Sequence, residues 1–215
     1  VTQPCPDGYY LAYEDENNWY CEPLIAPSDT AEVIRKLDLQ LSMTPPEKLR
    51  AEAIRLAKCM AQKQAAYKFG AKIEDFLGDC EKAATHKVDC SGLVQWIQDS
   101  AVCAVNGFCM AADKRASFKP QRSAADLYRL FGEKHSIRSG SDEAEPGDPV
   151  FFKYSSGSTK AADHIGIFLM KVPGGRSIHM IHGSERAGKV KMVTYPDGEW
   201  GMRIVGYGNL ESLLK

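Results

Sequence analysis

Asp89-Cys90-Ser91-Gly92 stands directly before an apolar stretch with helical spacing. That order places the Cys90 sulfur at a helix N-terminus, where unpaired backbone N–H groups and the positive end of the dipole favour a thiolate. The thiolate is the attacking form of cysteine, so Cys90 is the candidate nucleophile. A nucleophilic cysteine needs a base within hydrogen-bond reach. His164, in Asp163-His164-Ile165-Gly166-Ile167, begins an expected strand, and a rigid strand end can hold an imidazole against a helix start. A third polar group must orient that ring. His182, in Met180-Ile181-His182-Gly183-Ser184, lies on the next expected strand and can accept from the His164 nitrogen that does not face sulfur. His179 is the competitor for this role, on the opposite face of the same strand. His86 reads as loop and His135 as surface.

The seven cysteines, at 5, 21, 59, 80, 90, 103 and 109, set the compartment. Cys103 and Cys109 have the tightest spacing, wider than the Cys-x2–4-Cys pairs of zinc sites, so no metal site is expected. Three disulfides and one free thiol fit the odd count, with short-loop pairing giving Cys5–Cys21, Cys59–Cys80 and Cys103–Cys109. An oxidising compartment follows, against the alternative of buried free thiols in a reducing cytosol. The N-terminus VTQPCPDGYY has no basic n-region or apolar h-region. The expectation is therefore a leader already removed or an export route that needs none. A formal net charge of −1 argues against bulk electrostatic binding to nucleic acid, and no apolar run is long enough to span a membrane.

The elements that must position these residues come in two groups. Residues 1–27 are rich in turn formers and aromatics and read as a small stapled turn or hairpin. Asp29 with Glu32 has the spacing of a capping box and opens a helix. Thr44-Pro45-Pro46-Glu47 starts another, expected to run to about Phe69 and stop at Gly70, burying Leu49, Ala53, Leu56, Ala57 and Met60. A loop to Asp89 precedes the Cys90 helix, whose stripe is Cys90, Val94, Ile97 and Ala101; Trp96 reads as core. A further helix runs from Ser123 to Phe131. After Pro146-Gly147 the period changes to short strands at 150–154, 164–170, 177–183, 190–195 and 202–207, separated by turns. Helices followed by adjacent strands indicate an α+β fold with an antiparallel sheet of about five to six strands. The expected division is an extension at 1–45 and a catalytic domain at 46–215.

"VDCSGLVQW" (88–96), "PGDPVFF" (146–152), "DHIGIFL" (163–169) and "MIHGS" (180–184) occur in that order. Together they resemble the NlpC/P60 peptidases, papain-like bacterial cell-wall endopeptidases. "AAYKFGA" (65–71) and "QRSAADL" (121–127) are similar to further family segments, so the likeness covers roughly 46–208. It implies a catalytic triad of Cys90, His164 and His182. It also implies that Asp89, Ser91 and Tyr67 line the substrate pocket, where some members hold the free amino end of a stem peptide. The implied reaction is hydrolysis of the γ-D-glutamyl bond to diaminopimelate or lysine in peptidoglycan. The thiolate attacks the carbonyl, backbone N–H groups near Cys90 hold the oxyanion, His164 protonates the leaving amine, and water resolves the thioester. No metal or cofactor is called for. The chain differs from the family in longer segments around 103–109 and 172–176.

Two settings remain open: wall remodelling, and an antibacterial toxin delivered into a rival's periplasm, which would require an immunity protein that plugs the cleft. A papain-like amidase or acyltransferase on another substrate is the enzymatic alternative. An inactive wall-binding module is the non-enzymatic one, against which the intact Cys90, His164 and His182 set argues. Lys114, Arg115, Lys119 and Arg122 read as a solvated loop.

Overall fold

The computed structural model describes residues 9–15, 18–23, 45–73, 75–106, 123–154, 158–173, 177–195 and 202–214. An antiparallel hairpin, β1 (Tyr9–Asp15) with β2 (Asn18–Pro23), lies where a stapled turn or hairpin is expected. The helix expected from Asp29, the Thr44 cap, the 103–109 segment beyond Asn106 and the basic loop at 114–122 lie outside the described residues.

Helix α1 (Pro45–Gln62) has a proline at its first position and Glu47 in its first turn, both suited to a helix N-terminus. Leu49, Ala53, Leu56, Ala57 and Met60 are fully buried, as their spacing predicts. It ends seven residues short of Phe69, because the next backbone groups have other partners. Gln64 turns to φ 50°, and Ala65 N donates to Met60 O at 3.1 Å. Beyond the turn, Tyr67 N donates to Gly188 O at 2.8 Å, Lys68 N to Val88 O at 3.2 Å, and Val88 N to Ala66 O at 2.9 Å. Sheet-like pairing thus satisfies groups that a longer helix would have satisfied internally. It lays Tyr67 beside the residues that lead into Cys90.

The expected loop before Asp89 contains a short helix, α2 (Cys80–Ala83), capped by Asp79, whose carboxylate accepts from Lys82 N at 3.2 Å. Cys59 and Cys80 are joined in a disulfide, the pairing that short-loop closure predicts. By the chain-entropy relation, closing this loop contributes roughly 3 kcal/mol. Cys103 is also disulfide-bonded; the expected pairs Cys5–Cys21 and Cys103–Cys109 involve residues outside those described.

Helix α3 (Cys90–Asn106) is buried on more than one face: Leu93, Val94, Trp96, Ile97 and Ala101 are all inaccessible. It is the central helix, and Trp96 is core, as read from sequence. Helix α4 (Ala124–Glu133) starts at its expected cap: Ser123 Oγ accepts from Asp126 N at 3.1 Å and donates to Asp126 Oδ2 at 2.6 Å.

The remaining strands are β3 (Ile137–Arg138), β4 (Pro149–Tyr154), β5 (His164–Lys171), β6 (Ile178–Ser184), β7 (Lys189–Tyr195) and β8 (Met202–Gly208). They form one antiparallel sheet in the order β3-β8-β4-β5-β6-β7. Five of the six were expected; β3, at two residues, is too short to carry a period. One sheet face packs on the helices through Phe151, Ile165, Ile167, Leu169 and Ile181. The other face carries a separate cluster of Val150, Phe152, Phe168, Met180 and Tyr207.

A buried polar knot ties α1 to the Pro-Gly-Asp turn before β4. Arg50 Nη1 donates to Asp148 Oδ1 at 2.6 Å, and Leu210 N donates to the same oxygen at 3.0 Å. Asp148 Oδ2 accepts from Glu145 N at 3.0 Å and from Arg138 Nη1 at 3.2 Å. Gly147, at φ 95°, brings its backbone against that of Arg50, where a Cβ would lie 3.4 Å from the Arg50 Cα. The turn needs the left-handed conformation, which strains an L side chain, whereas a Cβ would make only ordinary contact with Arg50.

Candidate active site

Cys90 is the first residue of α3 and, among the described residues, the free cysteine. His164 opens β5 and His182 lies on β6, so two adjacent strands present two rings towards one helix start. A cleft of about 450 Å³ is lined by Tyr67, Cys90, His164 and His182 together with Phe69, Tyr154, Lys160, Asp163, Glu185 and Arg186 among others. The three residues proposed from sequence as the reacting set therefore share one cavity.

His164 Nε2 and His182 Nδ1 are 2.8 Å apart, with the rings perpendicular. With the His164 Nε2 proton donated to His182, Nδ1 of His164 is the nitrogen available to a thiol. His182 Nε2 is buried and makes no hydrogen bond. His179 lies elsewhere: its Nδ1 is 2.9 Å from Thr194 Oγ1 and its ring is absent from the cleft lining. His86 and His135 are exposed.

The position of His164 is held from the strand before it. Phe152 and His164 are paired across β4 and β5. Asp163 Oδ2 accepts from Tyr154 N at 3.0 Å and Asp163 Oδ1 from Ser158 Oγ at 2.6 Å, which fixes the backbone entering β5. Gly166 leaves room behind: a Cβ there would lie 2.2 Å from Met180 Cε and 3.2 Å from His182 Cβ. Asp163 and Gly166 stand in the quoted motif, but nothing in residue spacing assigns them these roles.

Asp89 and Ser91 are placed differently from Tyr67. Tyr67 lines the cleft, whereas Asp89 and Ser91 are buried and absent from its lining. Asp89 acts as the cap of α3, accepting from Gly92 N at 2.6 Å and from Ser91 Oγ at 2.9 Å. Both groups also meet Lys72, which bonds the two Asp89 oxygens at 2.8 and 3.0 Å and Ser91 Oγ at 2.6 Å. Lys72 lies in an irregular segment where sequence spacing carries no signal. Gly92 is required at this junction, since a Cβ would come within 2.7 Å of Ala71 O.

Burial dominates the titration of the site. It pushes the Cys90 thiol up to about 11, with the Asp89 charge adding; the Ile165 N–H, Lys72 and the Ser91 N–H pull the other way. Burial pulls His164 down to about 4, opposed by Asp89. His182 is held well below its ordinary value by burial and by the neighbouring His164. Burial, followed by the Cys90 and Glu185 charges, raises the Tyr67 phenol. The Cys90 and His164 shifts both favour the uncharged forms, thiol and neutral imidazole.

These depressed histidines make stability depend on pH. Their folded values lie below the ordinary value, so their contribution is complete above about pH 6.5. As pH falls from there towards 4, the unfolded chain takes up protons that the folded chain refuses. Each histidine then costs about 1.4 kcal/mol per pH unit. The urea midpoint should drop between about pH 7 and pH 4.5, and more shallowly in His182→Gln. An unchanged slope in that variant would show that His182 is not buried neutral.

Among the described residues no group of three His, Cys, Asp or Glu is arranged to hold a metal ion. No helix among them is long and apolar enough to cross a membrane. A family model, that of the NlpC/P60 family, matches residues 64–209. No curated protein matches the chain. The match takes in the Cys90, His164 and His182 segments and more than half of the sequence, with an α+β architecture consistent with that core. The chain belongs to the NlpC/P60 family and is a cysteine hydrolase of the cell-wall peptide class.

Proposed function

We propose that this enzyme hydrolyses the γ-D-glutamyl bond to the diamino acid in peptidoglycan stem peptides, with Cys90 as nucleophile, His164 as base and His182 orienting it. The observation that supports this most is the convergence of a free thiol at a buried helix start with a bonded histidine pair in one cleft. As the sulfur attacks the carbonyl carbon, its proton passes to His164 Nδ1, and the developing oxyanion meets the backbone N–H groups at the start of α3. His164 then protonates the leaving amine, and a water molecule, deprotonated by His164, releases the acyl group from sulfur. Tyr67 forms one wall of the substrate site, while Asp89 and Ser91 shape it from behind.

We place the catalytic unit at 46–215, ahead of the start of the family match, because Arg50 of α1 is bonded into the turn that leads to β4. The Cys59–Cys80 disulfide favours an extracytoplasmic setting. An enzyme of this kind serves wall remodelling or attack on a rival's wall. In the second case, a protein seated over Cys90 would protect the producer. Digestion of sacculi and of soluble muropeptides, read by mass spectrometry, tests the reading. Products cut between the γ-glutamyl residue and the diamino acid are expected, and no products with Cys90→Ala. Intact substrates after prolonged incubation with active protein would refute it.

A further inference from the structure

We infer that Lys72 is a positioning residue for the nucleophile: its ammonium offsets the carboxylate that caps the Cys90 helix, so the cap can hold the helix start without opposing a thiolate. This rests on the reading of Cys90 as nucleophile above.

The cap holds the helix start, but its charge opposes the chemistry. Asp89 accepts from Gly92 N at 2.6 Å, from Ser91 Oγ at 2.9 Å and from Gly70 N at 3.1 Å. These bonds satisfy a donor of the first helical turn and tie the preceding segment to it. The same carboxylate is 4% exposed and adjacent in sequence to Cys90. A like charge so close disfavours a thiolate, and its burial keeps out the water that would screen it. Lys72 answers this from outside the helix. Its Nζ donates to the two Asp89 oxygens at 2.8 and 3.0 Å and to Ser91 Oγ at 2.6 Å, with 18% of its side chain exposed. Gly92 makes space for its stem: a Cβ there would lie 2.9 Å from Lys72 Cδ. Lysine, carboxylate and glycine thus build one charge-balanced cap behind the nucleophile.

Asp89 and Lys72 are also the two charges that act most on the sulfur, in opposite directions. The other groups facing Cys90 do not replace Lys72. Burial favours the neutral forms of His164 on β5 and His182 on β6, and it raises the Tyr67 phenol, which stays uncharged. On the cleft, Lys160 and Glu185 are exposed, where water screens them. Asp163 is bonded to Tyr154 N and Ser158 Oγ, and Arg186 follows Glu185, which carries the opposite charge.

The test reads the sulfur itself. Alkylation of Cys90 by iodoacetamide, an uncharged reagent, is followed against pH by peptide mass spectrometry in wild type, Lys72→Met, Asp89→Asn and the double variant, with folding checked by circular dichroism. Asn at 89 keeps an oxygen for Gly92 N, and Met at 72 keeps most of the stem. Lys72→Met should slow alkylation at neutral pH by about threefold or more: the thiol rises by about one pH unit, offset in part by the greater nucleophilicity of a more basic sulfur. Asp89→Asn should quicken it by a similar factor, and the double variant, which removes both charges, should return close to wild type. A Lys72 that served structure alone would leave the double variant as slow as Lys72→Met. That result, or folded Lys72→Met reacting as fast as wild type, would overturn the inference. Should Lys72→Met fail to fold, Asp89→Asn must outpace both wild type and the double variant for the inference to stand. Stem-peptide hydrolysis retained by Cys90→Ala would instead overturn the nucleophile assignment beneath it, and the inference with it.

Discussion

Replacing Cys90 by alanine is expected to lower kcat/KM by at least about 10,000-fold, with the fold intact. The size follows from the roles: without the sulfur no acyl-enzyme forms, and the remaining groups only bind and polarise substrate. Stability should change little, because Cys90 is partly open to the cleft and alanine suits a helix start better than many residues. His164→Ala should lose nearly as much, as the two act as one unit, and the double variant should be no worse than either single one. Alkylation gives an independent reading. In native, unreduced protein Cys90 should be the reactive thiol among the described residues, since Cys59, Cys80 and Cys103 are disulfide-bonded. With the thiol raised to about 11, labelling should quicken steadily with pH. A rate flat across neutral pH would mean a preformed thiolate and imidazolium, contrary to the desolvation that raises the thiol and lowers the imidazole. Full hydrolysis by Cys90→Ala would remove it from the reaction altogether.

Asp148→Ala is expected to destabilise the fold by about 3–5 kcal/mol, the largest effect on stability outside the apolar core. Asp148 is fully buried, and Arg50 keeps only 5% of its side chain exposed. Burial raises the Asp148 carboxyl while Arg50 opposes that shift, so the charge is held by its partner. Removing the carboxylate strands the guanidinium and the Leu210 N–H, with Glu145 and Glu211 left as partly exposed partners. The loss should exceed that of a paired replacement: Arg50→Met with Asp148→Leu removes both charges together and should recover part of the stability. Urea denaturation of wild type, Arg50→Met, Asp148→Leu and the double variant measures this. A double variant as unstable as the sum of the singles would show that the two charges are not coupled. The effect reaches the site only indirectly, through the turn into β4, on which Asp163 and His164 are registered.

Much of this was legible from residue order. Period changes located α1, α3, α4 and five strands, because amphipathic spacing is set by which face meets the core. The proposed Cys90, His164 and His182 set came from another kind of signal: a nucleophile, a base and an orienting group must be of certain types, and each of these stands at the end of or within an element able to hold it. What failed was local in every case. The end of α1 depended on Gly188, Val88 and Val190 pairing with residues 65–68, partners far away in the chain. Lys72, which bonds Asp89 and Ser91, went unread because it lies in an irregular segment that no spacing marks.

Sequence by itself determined the class of the fold and pointed to Cys90 as the odd cysteine among seven. These depend on composition and period, which neighbouring residues carry. Tertiary structure alone decided which nitrogen of His164 is free, that His179 is bonded to Thr194, and that Arg50 meets Asp148. It also decided that the carboxylate behind the nucleophile is already neutralised by Lys72. Each of these is a contact between groups distant in sequence, fixed by strand register and burial, and such contacts leave no mark on local periodicity.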